Sequence, residues 1–240
     1  PILRLHPTTL AQAASTVFAL AEGRFVLGLG TGEALNERVA GVGFPPFEER
    51  LARLEEALEH VRALLTGREV NRQGNFFTTE RATLFDPASC IPVLFGCSGE
   101  KTLRAALKTA DGIITLGLRP EFSNSVPEDK VKLAQLSFCW AETKEKGAQT
   151  AHRYFPEVAL DGLEFTRLAT PFEFTEATAK VSVRDVEASI VCGPDPEPYA
   201  VQISECLEAG YDGVALHQIG PDQDGFLNFW SERLASRFLT

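Results

Sequence analysis

Short, bulky apolar runs recur along this chain at the spacing of an alternating strand–helix fold, and that alternation limits the architecture more than any other feature. Phe25–Leu29, Ile91–Phe95, Gly112–Thr115, Lys132–Cys139 and Gly213–His217 read as strands, the apolar ones suited to burial on both faces. Helical patterns separate them. Pro7 opens an alanine-rich one over Thr8–Leu20, and Phe47–Leu65 is amphipathic and ends at Gly67. Further helices are expected to about Thr109, over Glu142–Tyr154 and Glu197–Ala209, and from Asp224 to Phe238. Val70–Phe85 reads as a hairpin around Gln73-Gly74-Asn75, and residues 156–196 as irregular with local helix. This order implies a parallel sheet covered by helices and supports a barrel, with five parallel strands visible.

At 240 residues the chain fits one α/β barrel of ~200–250 residues, with no internal repeat or second domain. A net charge of −10 argues against nucleic acid or an anionic membrane surface as a partner. No apolar run approaches the ~20 residues that span a bilayer, and the start has no basic-then-apolar signal pattern. The five cysteines (Cys90, Cys97, Cys139, Cys192, Cys206) are scattered without a Cys-x-x-Cys pair, as expected of reduced, mostly buried thiols in a cytoplasmic protein. The histidines (His6, His60, His152, His217) form no close pair, so no metal site is expected. The charged face of the 47–65 helix (Glu48, Glu49, Arg53, Glu56) reads as solvated.

In a parallel α/β fold the chemistry sits where strands end and the following loops begin. Four such loops are visible: Gly30–Glu37, Gly96–Thr102, Leu116–Arg119 and Gln218–Asp224. The first, within Gly28-Leu29-Gly30-Thr31-Gly32-Glu33-Ala34-Leu35-Asn36-Glu37, puts three glycines in five residues at a strand exit, so the backbone can approach a ligand closely. Glu33 supplies a carboxylate for proton transfer and Asn36 an amide able to fix a ring system. On spacing alone, a glycine-rich exit with Glu33 and Glu37 solvated explains the stretch equally well. In Ser98-Gly99-Glu100-Lys101-Thr102, small residues precede a helix whose first N–H groups favour an anion; an ordinary cap by Ser98 is the alternative. His6, beside a proline, reads as a capping or surface residue, and His217 as packed or hydrogen-bonded.

Gly-Thr-Gly-Glu-Ala-Leu-Asn-Glu resembles a hallmark of the coenzyme F420 (deazaflavin)-dependent glucose-6-phosphate dehydrogenase-like group of the luciferase-like oxidoreductase superfamily. Arg4-Leu5-His6-Pro7, Ala11-Gln12-Ala13-Ala14, Arg50 to Ala57, Leu65-Thr66-Gly67, Ala110-Asp111-Gly112 and Gly220-Pro221-Asp222-Gln223 extend the resemblance over almost the whole chain, most weakly from about Glu121 to Val191. It implies a (β/α)8 TIM barrel whose first three βα units lie upstream of Pro1, and a homodimer. The chain also has no methionine, which fits a start inside a longer product. By the same resemblance Glu33 is the acid/base residue, and Thr31, Gly32, Asn36, Ser98, Gly99, Lys101 and Thr102 hold the deazaflavin, the last four at its phosphate. The group's histidine and aspartate at an early strand end have no counterpart after Pro1.

The sugar-phosphate clamp of that group falls here on Leu116, Arg119, Glu187 and Asp224, of which only Arg119 is cationic. Two carboxylates where cations belong would repel a phosphate dianion, so glucose 6-phosphate is not the expected substrate. The resulting expectation is hydride exchange between F420 and a non-phosphorylated alcohol, carbonyl or alkene, with Leu116 and Arg119 at the substrate. The alternatives are a flavin mononucleotide (FMN)-dependent monooxygenase of the same superfamily and a non-catalytic, cofactor-binding relative.

Overall fold

The computed structural model describes residues 2–41, 43–160 and 164–239, and the chain divides into two compact units. The first runs to Ile114 and includes Val126–Val131; the second holds Thr115–Ser125 and the residues from Lys132 onward.

The first unit opens with α1 (Pro7–Leu20), which starts as its sequence implies: Pro7 takes the first helical position, and the His6 side chain accepts the Thr8 N–H at 3.3 Å. Strand β1 (Leu27–Leu29) is shorter than the apolar run that announced it. It leads into α2 (Ala34–Arg38) and then the long α3 (Phe47–Leu65). Leu54, Ala57, Leu58, Val61, Leu64 and Leu65 follow the three-and-four spacing of one helical face, and that face is buried. A hairpin, β2 (Val70–Gln73) with β3 (Thr78–Ala82), comes next, then β4 (Val93–Cys97), α4 (Glu100–Thr109) and the start of β5 (Gly112–Leu116). β1 and β4 pair in parallel, with Leu27 opposite Val93, Gly28 opposite Leu94 and Leu29 opposite Phe95. At Gly112 a Cβ would collide with the Val131 carbonyl, so the strand can enter here only as glycine.

One part of the α3 surface does more than meet water. The Glu56 carboxylate accepts the backbone N–H groups of Asn75, Phe76 and Phe77 at 2.8–2.9 Å and thereby holds the hairpin turn. A Cβ at Gly74 would strike that carboxylate, which explains the glycine in the turn. From the same helix, the buried His60 meets Thr79 on β3, Nδ1 to Oγ1, at 2.7 Å. Glu56 is therefore a structural anchor, not the solvated residue its pattern implies.

The second unit begins within β5, passes α5 (Pro120–Ser123) and is built on β6 (Val131–Cys139). There follow α6 (Lys144–Tyr154), α7 (Pro171–Thr178), α8 (Val183–Ser189), β7 (Val191–Cys192), α9 (Pro196–Glu208) and β8 (Gly213–Gln218). β8 pairs in parallel with β6 from Leu133–Gly213 to Phe138–Gln218. The five expected strands are present. The stretch 156–196 holds two helices, 3-10 turns and β7, a sixth parallel strand on Phe138 and Cys139, and residues 161–163 lie outside the described residues. The closing helix is also less regular than expected: α10 (Gln223–Phe229) widens into a π-helical segment over Trp230–Leu234 before α11 (Ala235–Phe238). Leu136, Phe138, Tyr199, Ile203, Phe226, Phe229 and Leu234 form the core of this unit.

Candidate active site

The register of β1 and β4 decides where the two glycine-bearing loops go. Leu29 faces Phe95 on parallel strands, so the chain leaves both strands at the same end, and a Cβ at Gly96 would lie 3.7 Å from the Leu29 carbonyl. The Gly30–Glu37 and Gly96–Thr102 loops are therefore neighbours within the first unit.

In the first loop Gly32 has φ +80°, a left-handed conformation open to glycine at little cost. Behind it lies Glu37, fully buried: a Cβ at Gly32 would come within 2.9 Å of Glu37 Cγ and Oε1. Burial pushes the Glu37 carboxyl above its usual range, against the pull of Arg4, whose Nε lies 3.4 Å from Oε1. The alternative reading, in which Glu37 is solvated, fails for this residue, because its side chain packs into the space that the missing side chain of Gly32 leaves. Glu33 takes the N-cap position of α2 in an extended conformation and makes no capping bond with its side chain. Its Oε2 accepts from Asn36 Nδ2 at 3.5 Å, and its carbonyl accepts the Asn36 and Glu37 N–H groups at 3.1 and 3.0 Å. Glu33, Asn36, Thr31 and Gly32 are thus gathered in one turn, with Glu33 half-buried and Asn36 exposed.

In the second loop Gly99 is the N-cap of α4, and the first helical bond runs from Leu103 N–H to the Gly99 carbonyl at 3.1 Å. The N–H groups of Glu100, Lys101 and Thr102 precede that bond and face out of the helix start. A Cβ at Gly99 meets nothing within 4 Å, whereas Thr102 as a whole residue is buried. The N-cap position falls to Gly99 and not to Ser98, so α4 starts without a side-chain cap. Lys101 Nζ is engaged by Glu48 Oε1 at 2.5 Å in a solvent-exposed pair, and lies 5.9 Å from the Phe47 ring centroid. Beneath the loop, burial pushes the Cys97 thiol up to about 12, so it is a packing residue and not a thiolate.

Arg50, which the sequence reading passed over, reaches the first loop from α3. Its Nη1 donates to the Thr31 and Gly32 carbonyls, each at 3.1 Å, and its Nε to the Pro45 carbonyl at 3.1 Å. Only its place in a stretch of familial sequence pointed to it.

Leu116 and Arg119 belong to the second unit. Leu116 ends β5 with half its surface exposed, and Arg119 Nη1 lies 3.8 Å from Glu121 Oε1. Glu187 differs from its expected state: on α8 it pairs with Lys144 Nζ at 2.7 Å, so it is not an uncompensated negative charge. Asp224 lies in the first turn of α10. His217 shares a 3.1 Å hydrogen bond between Nδ1 and Ser137 Oγ and packs edge-on against Phe155, a structural role. Among the described residues, no three His, Cys, Asp or Glu side chains are grouped to hold a metal, and no helix is long and apolar enough to cross a membrane.

A strand-exit glycine turn carrying a carboxylate, beside a helix start presenting N–H groups, is set on an α/β fold of the luciferase-like barrel type. The profile of the luciferase-like monooxygenases matches residues 1–213, and the chain belongs to that family. Within it, the F420-dependent glucose-6-phosphate dehydrogenase of Nakamurella multipartita is 30% identical over 253 residues, covering 99% of this chain and 75% of that protein. F420-dependent glucose-6-phosphate dehydrogenase 1 of Rhodococcus jostii is 31% identical over 258 residues, covering 99% and 76%. Among solved structures, an F420-dependent secondary alcohol dehydrogenase in complex with an F420–acetone adduct superposes with a TM-score of 0.83 at 21% identity, over 97% of this chain and 75% of that one. The coenzyme F420-dependent tetrahydromethanopterin reductase of Methanopyrus kandleri gives 0.72 at 18% identity, over 98% and 80%.

Proposed function

We propose that this chain is an F420-dependent oxidoreductase that exchanges hydride between the deazaflavin and a non-phosphorylated alcohol, carbonyl or alkene. The observation that carries the reading is the parallel β1–β4 register, which brings the Glu33 turn and the start of α4 to one end of the sheet. The residues fit the cofactor on their own chemistry. Gly30 and Gly99 leave room that a Cβ would take, the first N–H groups of α4 suit a phosphate, and Asn36 offers both a donor and an acceptor to a ring. Thr31, Gly32 and Asn36 would hold the deazaflavin ring, and Ser98, Gly99, Lys101 and Thr102 its phosphate.

When bound, F420 supplies the two-electron hydride chemistry; the protein supplies binding, orientation and the proton. Glu33 is the group for that proton. Its carboxylate lies in the same turn as the ring-binding residues, and the Asn36 amide on Oε2 steadies its orientation. Lys101 reaches a phosphate by exchanging Glu48 for it, and such an exposed pair is weak enough to exchange. For the substrate, Leu116 sets an apolar side chain where the sugar-phosphate enzymes carry a polar one, and Asp224 a carboxylate where they carry a cation. Glu187, paired with Lys144, adds little to that argument. The five strands expected from the sequence would be the last five of an eight-unit barrel, and we expect a cytoplasmic homodimer.

Titrating the full-length protein with F420, and separately with FMN, tests the cofactor. F420 should bind, and Gly99→Asp should weaken it at least about tenfold by setting a negative charge beside the phosphate. The substitution meets no atom within 4 Å and Gly99 is already extended (φ −163°), so the fold should tolerate it. Tight binding of FMN without F420 would favour a monooxygenase, and unchanged F420 affinity in Gly99→Asp would remove the α4 loop from the site.

A further inference from the structure

We propose that Arg50 is the positioning residue of the cofactor turn, a role that rests on the reading of Thr31 and Gly32 as deazaflavin contacts. Arg50 stands in the first turn of α3, nineteen residues beyond Thr31, yet its guanidinium is fastened to the turn. One nitrogen, Nη1, donates to two successive carbonyls, Thr31 and Gly32, at 3.1 Å each, and lies 3.5 Å from Thr31 Oγ1. The Nε donates to Pro45 O at 3.1 Å, and the cation sits 3.9 Å from the Phe44 ring centroid and 5.6 Å from that of Phe47. A planar fork stacked on an aromatic face holds three carbonyls at once; an ammonium on a flexible stem lacks both the fork and the stack.

Two consequences follow for a ligand. The Thr31 and Gly32 carbonyls are turned toward α3 and are not presented to an electron-rich ring. The turn is also clamped from two sides, by Arg50 and by Glu37, whose side chain occupies the place of a Gly32 Cβ. Glu33 is the next residue, so its placement inherits whatever freedom the turn has. The same first turn of α3 reaches the second loop through the Glu48–Lys101 pair and the Phe47 ring. Of these contacts the Glu48–Lys101 pair is given up when Lys101 turns to a phosphate, whereas the Arg50 contacts with the first turn can persist.

The test compares Arg50→Lys and Arg50→Ala with the wild type in the full-length protein. Amide exchange of the peptide spanning residues 28–38 reads the turn without any ligand, F420 titration reads the site, and far-UV circular dichroism reads the fold. With the fold retained, both variants should exchange faster in that peptide and bind F420 about 10- to 100-fold more weakly, the effect of losing a charge-assisted hydrogen bond. Lysine should not rescue, and added guanidinium ion should restore binding to Arg50→Ala. Wild-type exchange and wild-type affinity in both variants would overturn the proposal while leaving the F420 reading intact. Faster exchange in a protein whose wild type binds no F420 would overturn the functional reading and reduce Arg50 to a fold anchor. Loss of structure in Arg50→Ala shifts the decision to Arg50→Lys, where unchanged exchange and affinity again refute the role.

Discussion

Glu33 carries the chemical argument at the scale of single residues. Its side chain caps nothing, so replacing it leaves α2 without a lost bond, and Glu33→Gln keeps the size and the hydrogen bond to Asn36. Turnover should fall by ~10²–10⁴-fold while F420 affinity holds, measured by steady-state kinetics beside a binding titration. Undiminished turnover would move the proton to another group. Lys101 offers a second check. Its pair with Glu48 competes with a phosphate, so Glu48→Gln should tighten F420 binding by about two- to fivefold, the gain shrinking as salt rises. Weaker binding would mean that Glu48 orders the loop instead of competing with the ligand. Glu33, Asn36 and the small residues before α4 were legible in the sequence because each lies in a short, local motif. Arg50 and Glu37 were not, since one acts across nineteen residues and the other is buried by a glycine five positions earlier.

Between elements, the clearest coupling is that of α3 to the hairpin, and it has a pH signature. Burial pushes the His60 imidazole below its ordinary 6.5. For Glu56, burial pushes the carboxyl up, but the N–H bonds from Phe76, Phe77 and Asn75 outweigh it and hold it below its ordinary 4.5. Both groups therefore bind protons more readily in the unfolded chain, and stability rises with pH across their ranges. The hairpin anchor should be complete near neutrality, weaken below about pH 6.5 as His60 draws protons in the unfolded state, and weaken again below about 4.5 through Glu56. Thermal midpoints measured from pH 7.5 to 4 should show both declines, and His60→Gln should remove the first. An unchanged slope between pH 6.5 and 5 in that variant would refute the assignment. The hairpin itself was readable from Gln73-Gly74-Asn75, whereas its attachment through Glu56 was not, because one carboxylate on a charged helix face looks the same whether it meets water or three backbone N–H groups. β7 escaped for a different reason: two residues are too few to show a period.

At the scale of the whole molecule, the alternation of strands and helices showed a parallel α/β sheet, and the resemblance to the luciferase-like family supplied the barrel class. One topological fact brings the candidate loops together: two parallel strands end side by side, with a carboxylate beyond one and a helix start beyond the other. Substrate choice is the part least written into local pattern, since Leu116 and Arg119 come from one loop, Asp224 from another far along the chain, and Glu187 proved to be paired with Lys144. The decisive measurement is a stopped-flow or steady-state record of the deazaflavin absorbance when full-length protein and F420 meet a panel of neutral alcohols and carbonyls alongside glucose 6-phosphate. Hydride transfer should appear with a neutral member, depend on Glu33, and be absent or far slower with glucose 6-phosphate. Oxidation or reduction of F420 with none of the panel, in a protein that instead consumes oxygen with reduced FMN, would contradict the proposed activity.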